Sequence, residues 1–133
     1  FLVVLGVAVA GLYGWIQASQ PAAVRASLVT GVSLLVEGAN WTIRYGPVAT
    51  TNNTVWGTLQ EAAQRLHFSV NATAYAIPRA VLINMINDTW NGQGGLYWQY
   101  WVNGTYGTVG ADHFPLTDGS QVVWRFTTNR EGG

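Results

Sequence analysis

The stretch LYWQYWVNG, Leu96 to Gly104, decides how the rest of the chain is read. Seven residues, four of them aromatic and one β-branched, run into Asn-Gly, the strongest hairpin dipeptide in the chain. Successive side chains of a strand point to opposite faces, so Tyr97 and Trp101 share one face while Trp98 and Tyr100 share the other. One of these faces has to be core. The other is open to a neighbour, a glycan or a ligand, and all four rings are candidate stacking residues for a small molecule.

Downstream, Tyr106 to Asp112 is expected to continue the pairing. Asp118-Gly119 marks a turn, and Val122, Trp124 and Phe126 then alternate with Gln121, Val123 and Arg125 in a closing strand. Upstream, Val24 to Glu37 is β-prone, with Val32, Leu34 and Val36 on one face. Gly38-Ala39-Asn40 signals a turn, and Trp41, Ile43 and Tyr45 alternate with Thr42 and Arg44, which predicts a hairpin over roughly 32–45. Gly46 to Asn53 reads as loop. Val55, Leu59, Ala62, Ala63 and Leu66 form one apolar helical stripe. Thr54 can cap that helix, or Thr58 with Glu61 can form a capping box one turn later, a start that Gly57 favours slightly. Ser69 to Asn87 reads as a strand followed by a second strand or short turn, and Asp88 to Gly95 as loop.

The first sixteen residues, FLVVLGVAVAGLYGWI, carry no charge. They admit four readings: a signal peptide, a short membrane anchor, a helix packed on copies of itself, or a donated strand. Gly6, Ala10 and Gly14 recur every fourth residue and make a small-residue stripe on a helix. Leu5, Val7 and Val9 are the large side chains of the strand alternative. The helix is the favoured form, and Phe1, Leu5, Gly6, Val7, Val9, Ala10 and Gly14 are the candidate assembly residues. Residues 1–20 are read as an assembly or anchor segment, 21–31 as connector and first strand, 32–127 as the globular domain and 128–133 as tail. Deleting 1–20 is expected to leave a folded domain.

Charged residues make up 9% of the chain and cancel to zero net charge, against roughly 25% in an average soluble domain. All six basic residues are Arg, and they form no run able to bind nucleic acid or anionic lipid. So neutral a surface needs another solvating group. Five Asn-x-Thr sequons, at Asn40, Asn52, Asn71, Asn87 and Asn103, point to N-glycans and hence to an exported, extracellular or cell-surface protein. There is no Cys, so disulfides and thiolate chemistry are excluded.

The residues from Thr54 to Thr127 resemble the transcobalamin-like C-terminal domain family. The resemblance lies in TVWGTLQEA (Thr54 to Ala62), YWQYWVNG (Tyr97 to Gly104) and VGADHFPLTDGSQVVWRF (Val109 to Phe126), taken in that order. It implies an α+β fold, a β-grasp-like mixed sheet with one packed helix, here preceded by the hydrophobic N-terminal segment. In vitamin-carrier relatives such a domain helps cover cobalamin beside a second, helical domain. The N-terminal stretch is similar, in its leading Phe1 and apolar run, to type IV pilins, although it has Leu5 where many of them have Glu.

Catalytic signals are sparse. Asp112-His113 could serve as an acid–base pair but reads more simply as a polar turn before Phe114-Pro115. His67 sits at a helix end, where it meets carbonyls rather than substrate. Two His and no Cys give no metal-site spacing, and no nucleophile or phosphate-loop motif occurs. Neither an enzyme nor a cofactor is expected. The leading expectation is a structural subunit of a glycosylated extracellular filament. It would polymerise with copies of itself through residues 1–20, with a membrane stage possible before assembly. The alternative is a membrane-anchored surface domain binding a corrinoid or sugar through the Tyr97–Trp101 strand.

Overall fold

In the computed structural model, which describes residues 27–128, the first and last strands lie side by side and parallel. Strand β1 (Val29–Glu37) meets β8 (Gln121–Thr128) in a register running from Ser33 opposite Gln121 to Glu37 opposite Arg125. Everything between them forms the crossover. Strand β2 (Thr42–Thr50) pairs antiparallel with β1 on one side. On the other side, β6 (Leu96–Val102) pairs antiparallel with β8 and carries the short β7 (Thr105–Tyr106). The order β2-β1-β8-β6-β7 is a mixed five-stranded sheet of β-grasp type. A second sheet, β3-β4-β5, is built from Val70–Ala76, Arg79–Ile86 and Thr89–Trp90.

One helix, α1 (Val55–Leu66), buries Val55, Thr58, Leu59 and Ala62. Its apolar stripe meets the inner sheet face of Val32, Leu34, Val36, Trp98, Tyr100, Val102, Val122, Trp124 and Phe126 in a single core that also takes in Ile83 and Ile86. Tilted ring pairs, Trp98–Phe126 at 5.0 Å and Tyr100–Trp124 at 5.1 Å between centroids, knit its centre. Burial of each such side chain contributes about 1.5–3 kcal/mol. The outer face of the sheet, with Tyr97 and Trp101, has no helix of the described residues over it.

Four expectations change. Gly46–Asn53 is not all loop, because β2 continues to Thr50. The register with β1 shifts twice between Val29 and Leu34, and Gly46 lies at the second shift at φ +94, where a Cβ would stand 2.4 Å from the Val32 carbonyl oxygen. The helix starts at the earlier cap: Thr54 accepts the Gly57 amide at 2.9 Å. Gly57 fits because the Asn52 backbone passes 3.1 Å from where its Cβ would be, and Glu61 bonds Tyr45, Thr50 and Asn52 rather than closing a capping box. Within 88–95, Thr89–Trp90 forms a third strand on β4. After Tyr106 the chain leaves β6 instead of pairing on to Asp112.

Strand β1 also crosses the 31/32 boundary drawn from sequence. The candidate assembly residues, Phe1 to Gly14, and the 129–133 part of the tail lie outside the described residues. Among the described residues no helix is long and apolar enough to cross a membrane.

Candidate functional site

Where the chain leaves β6, a cleft opens. Gly107 still donates to the Tyr100 carbonyl at 2.8 Å, but the following residues swing away to a 3-10 turn at Ala111–His113. Asp112 accepts the Val81 amide at 2.9 Å, and the His113 ring bonds the Arg79 carbonyl, so this loop is tied to β4. Asp112 and His113 therefore act as a brace between loop and strand. Between the loop, β4 and the outer edge of β6 lies a space of about 490 Å³.

Its walls are Val81, Leu82 and Ile83 from β4 and Gly107 to Ala111 from the loop. Trp98, Gln99 and Tyr100 of β6, with Trp124 behind them, form its base. No charged side chain lines it. Two side chains hold its shape. Tyr100 donates to the Val109 carbonyl at 2.6 Å, and burial pushes its hydroxyl pKa up to about 12, so it remains a neutral donor. Asn91 accepts the Trp98 amide and donates to the Ile83 carbonyl, each at 2.8 Å, and so bridges the two sheets. Gly107 packs where only a residue without a side chain fits, since a Cβ would stand 2.1 Å from the Tyr100 ring. Trp124, 3% exposed, keeps an indole N–H without a partner among the described residues.

The four rings singled out from sequence divide as the strand period requires. Trp98 and Tyr100 are core and also border the cleft. Tyr97, 42% exposed, and Trp101 lie on the outer face, where Trp101 stacks under Arg125 and meets Tyr106 edge-on. The structure therefore does not bring all four together. The residues that complete the cleft, Val81, Ile83, Asn91 and the 107–111 loop, were not anticipated from sequence. The close glycines Gly107 and Gly110 were the signal available.

Of the sequon asparagines, Asn40, Asn52, Asn71 and Asn103 are exposed, whereas Asn87 is half-buried in a turn at φ +49. Among the described residues no three His, Cys, Asp or Glu side chains converge to hold a metal ion.

A family model described as Domain of unknown function (DUF4430) matches residues 52–128. No curated protein matches the chain. Among solved structures, one similar fold is a candidate metal-binding protein from Ruminococcus gnavus ATCC 29149. It aligns with TM-score 0.53 and 12% identity over 74% of this chain and 96% of that one. Another is haptocorrin in complex with Cbi, with TM-score 0.58 and 17% identity over 77% of this chain. The chain spans only 26% of the haptocorrin chain. At these identities the likeness establishes a shared fold.

Proposed function

The chain belongs to the family described as Domain of unknown function (DUF4430), and from that premise we propose that it is a non-catalytic binding module for a small organic molecule. The observation that carries this reading is the uncharged, largely apolar cleft of about 490 Å³ between β4, β6 and the 107–111 loop, a size suited to a small ligand. A corrinoid is the first ligand class to consider, because haptocorrin, whose fold this domain shares in part, is solved in complex with Cbi.

This reading moves the ligand, corrinoid or sugar, from the outer aromatic face, where Trp101 stacks with Arg125, to the cleft. In this account the module works outside the cell, with N-glycans on its exposed sequon asparagines solvating a surface poor in charge. The filament reading rests on residues 1–20 alone.

Calorimetric titration of the full chain with cyanocobalamin and with a panel of mono- and disaccharides tests the proposal. The expected result is corrinoid binding that weakens by about tenfold or more, roughly 1.4 kcal/mol, when Val109→Trp fills the cleft. Absence of binding by the wild-type chain, or equal binding by the variant, contradicts it.

A further inference from the structure

We infer that the polar anchor of this cleft is a pairing slot for a single residue on the edge of β6, so that its ligand carries a peptide-like unit. That unit is an N–H and a C=O flanking one carbon and pointing the same way. The inference rests on the cleft being the binding site and puts a peptide-like ligand ahead of the corrinoid considered above.

Register fixes which groups of β6 face outward. Asn103 and Gln121 exchange a main-chain bond at 2.9 Å just beyond the β6–β8 ladder. With a period of two, Tyr97, Gln99 and Trp101 then bond β8, and Leu96, Trp98 and Tyr100 turn their main-chain groups to the open edge. Four of those six groups are taken, the Leu96 amide by the Gln93 carbonyl. The Leu96 carbonyl accepts from Gly92 at 2.7 Å, the Trp98 amide donates to Asn91, and the Tyr100 carbonyl accepts from Gly107. Between them stand the Trp98 carbonyl and the Tyr100 amide. By this register neither is used by β8, no turn or loop bond to either occurs among the described residues, and both residues line the cleft.

An acceptor on one residue and a donor two residues later, on the same edge, is what parallel pairing satisfies with one partner residue. Open edge groups of this kind capture extended backbone. Asn91 on one flank and Gly107 on the other occupy the neighbouring edge positions, so the slot is one residue long. Val81, Ile83 and Val109 around it favour apolar groups next to the paired unit.

Amide exchange measured by NMR on the full chain tests this, with N-acetyl-L-valine methylamide as probe. In the free chain the Tyr100 amide is expected to exchange much faster than those of Gln99 and Trp101. The probe should shift it and slow its exchange. The ester analogue, in which oxygen replaces the valine N–H, should bind about tenfold more weakly, because the Trp98 carbonyl loses its donor. A Tyr100 amide as protected as its neighbours in the free chain, no shift at Tyr100 with the probe, or equal affinity for the ester each overturns the inference. A corrinoid that enters the cleft and leaves the Tyr100 amide untouched refutes the slot and leaves the binding reading standing. If no ligand of any class enters the cleft, both fall.

Discussion

The side chain of Asn91 and the backbone amide of Trp98 are joined at 2.8 Å, and this bond couples the small sheet to the large one. Asn91 also donates to the Ile83 carbonyl, while its own amide bonds the Asn84 carbonyl. One residue after β5 thus stands in for the strand that β6 lacks along this part of its edge.

Replacing Asn91 with Ala removes both side-chain bonds. Each contributes about 0.5–1.5 kcal/mol, so Asn91→Ala is expected to lower unfolding free energy by about 1–3 kcal/mol in a denaturant titration. Asn91→Asp keeps the acceptor for Trp98 and loses the donor to Ile83, and should fall between the two.

Thr54 caps α1 and forms an isolated bridge with Pro115, and the next amide, that of Val55, bonds the Phe114 carbonyl. Thr54→Ala should cost about 1 kcal/mol, and Thr54→Ser should recover most of it. Thermal melts of the three proteins give the comparison. A Thr54→Ala melt identical to wild type would mean that the cap contributes nothing.

How much of this was legible beforehand varies by element. The alternation in Val122, Trp124 and Phe126, the 32–45 hairpin and the Val55–Ala62 stripe are strong because each sets an apolar face against the same core. Leu66 belongs to the stripe by spacing, yet as the last residue of the helix it is 45% exposed. The continuation of β2 past Gly46-Pro47 was hidden, since both residues normally mark a break. The cleft was hidden for a different reason. Its parts come from β4, β6 and the 107–111 loop, and only the tertiary bonds of Asn91, Asp112 and Tyr100 assemble them.

Tyr45 donates to Glu61, a carboxylate that also accepts from Thr50 at 2.6 Å and Asn52 at 2.8 Å. Burial raises the Tyr45 pKa from 10.0 to about 12, and the neighbouring Glu61 charge adds to it. The folded state therefore holds its proton more tightly than the unfolded chain does. That stabilisation is complete below pH 10 and is lost as pH rises towards 12. Tyr100 acts in the same direction. Glu61 has the opposite sign. Burial pushes its pKa up, but the bonds from Thr50, Tyr45 and Asn52 outweigh it and hold the pKa below 4.5. Its contribution is present above pH 4.5 and is lost as pH falls through the lower folded value. Melting temperature against pH should therefore drop at both ends, with a shallower alkaline limb in Tyr45→Phe.

Gly107→Ala places a methyl group into the Tyr100 ring, from which an ideal Cβ stands only 2.1 Å. Overpacking of this kind costs about 1–3 kcal/mol. It should also loosen the bond from Tyr100 to the Val109 carbonyl that shapes the cleft, so stability and ligand binding are expected to fall together. A variant that melts like wild type would show that the loop yields freely.

The central claim is that the cleft beside β6, and not the outer aromatic face, receives the ligand. Mapping amide chemical shifts of the full chain during titration with cyanocobalamin tests it most directly. The account predicts that the largest changes cluster at residues 81–83, 98–100 and 107–111. Changes centred instead on Tyr97, Trp101 and Arg125, with the cleft residues unmoved, would contradict it.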